Sequence, residues 1–457
     1  KLASIIPALA MAAAGERPKA SAGEAVVSFT TKLQGKYQVP EEELVLPSDL
    51  ARYGLSEVVN RLLSLDPPVP FDFLVEGEFL RTSVAGYLEA HKLSSEKILR
   101  LEYVFALREP EQKTVDETPD WIAAIATLKA FPSDWFAAVS YDGTMRIYEG
   151  SESRMTVRLG DAGLAAVSAL PVDGGRSSNI VAACQDGSLR CCSLEYGEKI
   201  TVGPTAALHA VSRPQALEAA AISEDGTLLA SAGWDQQVYV WNAESELFAA
   251  PETTGVGSKR KAAVDCEAKQ AKFALKGHTQ MVSCLKFGEK ARFPFTLLSG
   301  SFDCSVRVWD MAAASCVCNW PVARAVTSFS LNPGMPAQMA TTHEDGHVSL
   351  WDIRAPPHTS IKGALSLDAS AGLPLVHAQS PHKRLASQVV WCPEDEYRVA
   401  SVGHDGHLCI LDPRSPKMPL QTVLVGKQGP TPNKLLCAAW LRKDALAVGG
   451  SDGKVVR

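Results

Sequence analysis

The sequence predicts a mainly β chain, a seven-bladed β-propeller preceded by a small β-grasp domain. Two observations predict it. Seven times an aspartate sits in a tight turn ahead of a short β-branched strand: SYDGTMRIY around Asp142, CQDGSLRCCSL around Asp186, GWDQQVYVWN around Asp235, SFDCSVRVWD around Asp303, HEDGHVSLWD around Asp345, GHDGHLCILD around Asp405 and GSDGKVVR around Asp452. Ahead of them, residues 25–104 carry a different rhythm of hairpin, helix and strands. An Asp-Gly turn tolerates positive φ and joins strands whose side chains alternate between faces, so each copy reads as the middle hairpin of one blade.

In SFDCSVRVWD, Val306 and Val308 share one face while Ser305, Arg307 and Trp309 share the other. One blade cannot bury both faces, so such repeats work only as a stacked set. The aspartates lie 44, 49, 68, 42, 60 and 47 residues apart, against roughly 40–45 per four-stranded blade. The two long spacings place insertions at 249–272 and 355–384 rather than extra blades. The fourth copy is the most complete, with Gly277-His278, Ser299, Asp303 and Trp309-Asp310. In WD repeats, His278, Ser299, Asp303 and Trp309 would form a structural tetrad, a hydrogen-bonded chain offsetting the desolvation of a buried carboxylate. Trp241 and Trp351 keep the closing tryptophan, whereas Tyr148, Leu194 and Leu411 replace it. Those blades are expected to lean on apolar packing.

In chain order, residues 1–24 read as a disordered extension. Leu2–Ala14 is apolar behind a lysine, but Met11-Ala-Ala-Ala-Gly-Glu reads as a start behind translated upstream sequence rather than as a signal peptide. Ala25–Lys32 alternates as a strand, Gly35-Lys36 turns it, and Tyr37–Val39 is placed to pair back. Ser56 is expected to N-cap a helix with Val58, Val59, Leu62 and Leu63 on one face, ended by Pro67, Pro68 and Pro70. Phe71–Val75 reads as a buried strand, Glu76-Gly77 as a turn into Phe79-Leu80, Thr82 or Ser83 as a cap, and Leu99–Tyr103 as a last strand. That order is a β-grasp of the ubiquitin type.

Residues 105–120 are expected to be a linker, charged and proline-containing over Glu109–Pro119, with Trp121-Ile122 starting the first blade. Within the first insertion Lys259–Lys261 is either a nuclear localisation signal or a solvated loop. The second reads as a surface loop. Arg457 ends the chain at the third strand of the seventh blade, so either the outer strand is missing or a segment such as Phe105–Gln112 supplies it.

A formal charge of −6 argues against a surface that wraps nucleic acid throughout, and leaves local RNA contact open. The eleven cysteines include Cys191-Cys192 and Cys316-x-Cys318 but no C-x-x-C or zinc spacing, which reads as a reducing compartment without a metal cage or other cofactor. No apolar run of about 18 residues predicts a membrane span. Histidines 278, 343, 347, 404 and 407 with Asp345 and Asp405 are the only candidate catalytic groups, and they fall in or beside hairpin turns. No G-x-S-x-G, H-E-x-x-H or Walker motif accompanies them, so the chain reads as non-enzymatic.

The wording LARYGLSEVVNRLL, PVPFDFLVEGEFLRTSVAGYL and LSSEKILRLEYV resembles the NLE domain of the WD repeat-containing protein 12 (Ytm-type) family of ribosome biogenesis factors, densely over Val26–Val104. The Notchless family joins a similar domain to eight blades, and seven turn aspartates favour the first. The resemblance implies a PeBoW complex with Pescadillo and a second WD-repeat scaffold, acting on precursors of the large (60S) subunit in nucleolus and nucleoplasm. It also implies that midasin, a large AAA ATPase, grips the NLE domain, with Glu96 completing the coordination of midasin's magnesium ion. Glu76, Glu78 and Glu89 are the neighbouring carboxylates that compete for that role. A ubiquitin-pathway adaptor is the other reading of a β-grasp domain; without a Gly-Gly tail after Val104, conjugation is excluded.

Overall fold

The computed structural model describes residues 23–457 except 34, 41, 77, 95–97, 107–110, 133, 173–175, 198–199, 204, 210–214, 244–246, 249–270, 289–294, 336–337, 353–374, 415–418 and 427–432. The N-terminal extension through residue 22, Glu96, the first insertion through residue 270 with Lys259–Lys261, and the second through residue 374 therefore lie outside the described residues. The chain divides into two units, one drawn from Lys1–Glu109 and Arg414–Lys417, the other from Pro110–Pro413 and Met418–Arg457.

The first unit is a five-stranded sheet carrying two helices. Its elements are β1 (Glu24–Thr30), β2 (Glu43–Pro47), α1 (Arg52–Leu62), β3 (Phe71–Val75), β4 (Glu78–Phe79), α2 (Val84–Ala90) and β5 (Leu99–Phe105), in the sheet order β2-β1-β5-β3-β4. β1 and β5 run parallel at the centre and the other pairs antiparallel. Val27, Phe29, Phe71, Phe73, Leu101 and Tyr103 meet Leu55 and Val59 of α1 in one buried core. The Tyr103 hydroxyl stays satisfied there: it donates to the Tyr37 carbonyl at 2.6 Å and accepts from Val39 N at 2.9 Å. One phenol thus anchors the irregular stretch between β1 and β2.

Two local expectations change. Tyr37–Val39 does not pair back, because Gly35–Tyr37 is a 3-10 turn and the returning strand is β2. Ser56 is no N-cap either; α1 starts a turn earlier, after Ala51, which offers no side-chain cap. Ser56 faces inward instead and accepts from Phe71 N at 3.0 Å. Asn60 donates to the Val69 carbonyl at 2.6 Å and accepts from Val69 N at 2.6 Å. These two polar residues hold the proline-rich segment against the helix, where an unpaired amide in a buried site would cost ~1–3 kcal/mol. Ser83 does cap α2, accepting from Gly86 N at 3.2 Å.

The second unit is built of seven consecutive antiparallel sheets. Sheets one to seven open with the strands Ile122–Thr127, Leu164–Val172, Leu217–Ile222, Val282–Phe287, Val326–Leu331, Ala386–Trp391 and Leu435–Arg442. Each adds its second and third strands in sequence, and each turn aspartate lies between those two. Sheet two has five strands, since Thr201–Val202 and Ala206–His209 share one edge of Ser188–Glu195; the rest have four. Opening strands pack against one another in order, and that of sheet seven packs against that of sheet one. All seven carry a register shift immediately after their first residue, a β-bulge at Ala123, Ala165, Glu218, Ser283, Thr327, Ser387 and Leu436. A bulge re-aims its side chain. At three of them a hydroxyl reaches the next sheet's first carbonyl: Ser283 to Val326 at 2.7 Å, Thr327 to Ala386 at 2.5 Å and Ser387 to Leu435 at 2.5 Å.

Sheet seven takes its outer strand from the front of the chain. Thr114–Glu117 pairs antiparallel with Lys454–Val456, inside the stretch 105–120 expected as linker and beyond Phe105–Gln112. Phe105 is not free to close the sheet, because it ends β5 and stacks on Phe71 with ring centroids 5.8 Å apart. Lys113 and Arg457 exchange both backbone bonds at 2.9 Å, Thr118 N donates to Gly453 O at 2.7 Å, and Lys454 pairs with Glu117. Asp134 of sheet one receives Arg442 and Arg457, each at 2.5 Å, across the same seam. The second insertion is also shorter than expected, since Leu375–Gln379 is the outer strand of sheet five.

Candidate functional site

The turn aspartates are the densest polar feature, and the seven sheets satisfy them in different ways. In sheet four, His278 Nδ1 lies 2.8 Å from Asp303 Oδ2 and Nε2 lies 2.6 Å from Ser299 Oγ, which accepts from Trp309 Nε1 at 2.8 Å. A carboxylate only accepts, so Nδ1 carries the proton and the donation runs from tryptophan through serine and histidine to aspartate. Ser305 Oγ and Thr279 N add bonds at 2.6 and 3.1 Å. Burial pushes the Asp303 carboxyl up, and these donors together outweigh it and hold the group well below the ordinary range.

Sheet six builds the same chain from residues the sequence placed in a loop. His382 Nδ1 lies 3.1 Å from Asp405 Oδ1 and Nε2 lies 2.9 Å from Ser401 Oγ, with Lys383 N adding a bond at 2.9 Å. Burial raises Asp405, the donors win, and it settles at about 2. The stabilisation from a depressed carboxyl is fully present above the unfolded aspartate pKa of ~4 and is lost as pH falls from there through the folded value of about 2. The missed signal is positional: His278 and His382 each stand four residues ahead of the opening strand's first residue, Val282 or Ala386. Asp405 is therefore not left to apolar packing, although Leu411 replaces the tryptophan.

Sheet five runs the chain elsewhere. Trp351 donates to Thr341 Oγ1 at 2.8 Å, Thr341 contacts His343 Nε2 at 2.9 Å, and His343 Nδ1 meets the Ala325 carbonyl at 3.2 Å. Asp345 is released to Arg324 and to His347 at 3.1 Å. In sheets one and two an arginine four residues on takes over, Arg146 to Asp142 at 3.1 Å and Arg190 to Asp186 at 3.3 Å. Tyr239 stands four residues beyond Asp235 and bonds it. Asp452 accepts Lys454 N at 3.1 Å.

Sheet three lacks a histidine among its described residues, and the consequence is measurable. Ser231 Oγ and Trp241 Nε1 occupy the tetrad positions, both buried and both without a partner. Ser231→Ala should leave the unfolding free energy within about 0.5 kcal/mol of the parent, whereas Ser299→Ala should cost about 1–3 kcal/mol by stripping Trp309 and His278 of a partner. Equilibrium unfolding of both variants reads the difference.

Ser299, His278 and Asp303 have the composition of a hydrolytic triad. Ser299 is 0% exposed, however, and already accepts the Trp309 proton, so a carbonyl substrate has no approach to its oxygen. His404 is lowered by burial and by Lys434 and Arg384, and His407 Nδ1 bonds the Asp405 carbonyl at 3.0 Å. Neither meets a nucleophile. Among the described residues no three metal-ligating side chains converge, and no helix is long and apolar enough to cross a membrane.

Glu96 lies outside the described residues, but both flanks are fixed. Leu93 packs on the first unit's core and its amide bonds the Leu88 carbonyl at 2.9 Å, while Leu99 opens β5 buried in the same core. Glu89 and Glu76 are exposed on α2 and after β3, and the side chain of Glu78 also lies outside the described residues.

Residues 25–88 match the family model of the NLE (NUC135) domain, and residues 209–242 and 269–310 match that of the WD domain, G-beta repeat. The chain is 32% identical over 450 residues to a ribosome biogenesis protein WDR12 homolog of Chlamydomonas reinhardtii, covering 94% of this chain and 96% of that protein. It is 28% identical to the WDR12 homolog of Oryza sativa subsp. japonica over 94% and 95% of the two chains. With the ribosome biogenesis protein YTM1 of Laccaria bicolor it shares 27% identity over 93% of each.

Proposed function

The chain belongs to the WDR12/Ytm1 family of ribosome biogenesis proteins, and from that premise we propose a non-catalytic scaffold that works on the precursor of the large ribosomal subunit in the nucleolus and nucleoplasm. The observation that carries this reading is the 32% identity running through both units to 96% of the relative's length. In it the seven sheets are the blades of one closed propeller, and the N-terminal sheet with its two helices is a ubiquitin-like knob. The propeller docks with Pescadillo and a second WD-repeat scaffold as the PeBoW complex. The knob is gripped by midasin, whose magnesium ion takes one oxygen from Glu96.

The chemistry supports a carboxylate there, since Mg²⁺ is a hard cation that holds oxygen ligands in a strict octahedron. The ion is the partner's, and this chain contributes a single donor. A half-buried Leu93 and a buried Leu99, both packed on the core, suit presentation from a rigid platform. If the ATPase pulls on the knob while the propeller stays docked, release follows at whichever interface is weaker.

Glu96→Ala should leave the fold intact, abolish capture by midasin and stall release of the PeBoW proteins from precursor particles. Glu96→Asp should lose part of the binding, because it withdraws the oxygen by about 1.5 Å. Full ATPase capture by Glu96→Ala in a pull-down refutes the site. Affinity purification from cells tests the wider reading, and the absence of large-subunit precursors among the recovered proteins would overturn it.

A further inference from the structure

The bulge position separates sheet three from its neighbours. Where sheets four to six carry Ser283, Thr327 and Ser387, each tied to the next sheet, sheet three carries Glu218. Among the described residues its carboxylate accepts one hydrogen bond, from Trp234 Nε1 at 2.8 Å, and meets no cationic side chain. Burial raises its pKa against that bond. Glu218 is half-buried and accepts one bond, where Asp303 takes donors from His278, Ser305 and Thr279 N and Asp405 takes donors from His382 and Lys383 N.

One aromatic ring touches it, and two more follow. Trp234 stands at the position just before the sheet-three turn aspartate and is 56% exposed. Tyr141, at the same position in sheet one, leans across sheet two, where a Cβ on Gly163 would lie 2.9 Å from its ring. Its hydroxyl is pushed up to about 12, first by burial and then by the Glu218 charge, so the phenol lies within electrostatic reach of the carboxylate. Trp121, 41% exposed, meets the Tyr141 ring edge-on at 6.2 Å. The Lys434 ammonium already lies 5.5 Å from the centre of the Trp121 ring, so these rings accept a cation.

We propose that Glu218, Tyr141, Trp121 and Trp234 form a recognition site for an arginine side chain presented by a partner protein. A guanidinium fits both parts of the site, because its plane stacks on an indole face while its edge donates two parallel bonds to a carboxylate. Lysine offers neither the plane nor the fork. The remaining lone pairs of Glu218 and the Tyr141 oxygen supply the acceptors. This reading stands apart from the ribosomal role, since it concerns what the site binds and not which particle the protein visits.

The test uses the full chain and two pentapeptides, acetyl-Gly-Ser-Arg-Ser-Gly-amide and its citrulline twin, which keeps the shape and loses the charge. Titration followed by tryptophan fluorescence at low salt should saturate with the arginine peptide and bind the citrulline twin at least about tenfold more weakly. Glu218→Gln should lose that preference and Trp234→Leu should weaken arginine binding by about tenfold, with both variants unfolding at the parent's denaturant midpoint. Equal binding of the two peptides, unchanged binding in both variants, or no saturable signal with the arginine peptide overturns the proposal.

Discussion

Replacing His278 with alanine is expected to lower the unfolding free energy by about 3 kcal/mol or more, because a buried carboxylate loses a donor and a buried hydroxyl loses an acceptor, at ~1–3 kcal/mol each. His278 is the middle of the sheet-four chain, and its loss strands both ends. Asp303, whose side chain is 6% exposed, keeps Ser305 and Thr279 N but loses its closest ring donor. Ser299 keeps the Trp309 donor and loses the acceptor for its own proton. The effect should exceed the sum expected of a packing defect, which is checked by a double-mutant cycle of His278→Ala with Asp303→Asn. A coupling energy near zero would mean the two residues act independently.

A comparable loss, about 3–4 kcal/mol, is expected for Gly346→Ala, a change of one methyl group. Gly346 follows the sheet-five turn aspartate with φ +87°, a conformation that costs an L-residue roughly 1–2 kcal/mol. The added Cβ would also collide with the His382 carbonyl oxygen and lie 2.6 Å from that of Arg384. Neither carbonyl can retreat cheaply, because His382 is the histidine of the sheet-six chain. One methyl in sheet five would thus disturb the His382–Ser401–Asp405 chain of sheet six. Gly226 is the control: it has φ +69°, but its nearest neighbour is the flexible Leu170 Cδ2 at 3.3 Å. Gly226→Ala should cost only about 1 kcal/mol. Thermal or denaturant unfolding of the two variants separates strain from collision.

The features legible in the sequence are those whose partners are near in the chain. The Asp turn and the alternating strand after it are local, and so is the pairing of Asp142 with Arg146 and Asp186 with Arg190. Cys304 and Gln236 take positive φ where other copies have glycine. The turn aspartate therefore proved a steadier mark of the repeat than Asp-Gly itself. His382 was hidden because it follows a stretch rich in alanine, serine and proline, and only its bonds to Ser401 and Asp405 distinguish it. The closing strand was misplaced by several residues because its register is set by Lys454–Val456, at the far end of the chain. Ser56 looked like a cap from its neighbours in sequence, and its true partner is Phe71 N, fifteen residues on. Glu96 carries no local pattern that sets it apart from its neighbouring carboxylates, and its proposed role comes from the family resemblance. Glu218 is one polar residue in an apolar strand, and only the bulge, which is set by pairing with the next strand, aims it at Trp234.

Borrowing the edge of sheet seven from residues 114–117 gives the larger unit a mechanical polarity. Any load carried along the backbone from Phe105 reaches Thr114–Glu117 before every other described strand of that unit. It then falls on three registered pairs, Thr114 with Val456, Asp116 with Val455 and Glu117 with Lys454. The paired bonds of Lys113 with Arg457 are the first to be strained. A contact elsewhere on the unit that is weaker than this joint would let go with sheet seven still whole. A stronger one would strip Thr114–Glu117 from Lys454–Val456 first, so the rupture strength of a four-residue strand sets a ceiling on how firmly the unit can be held against such a load.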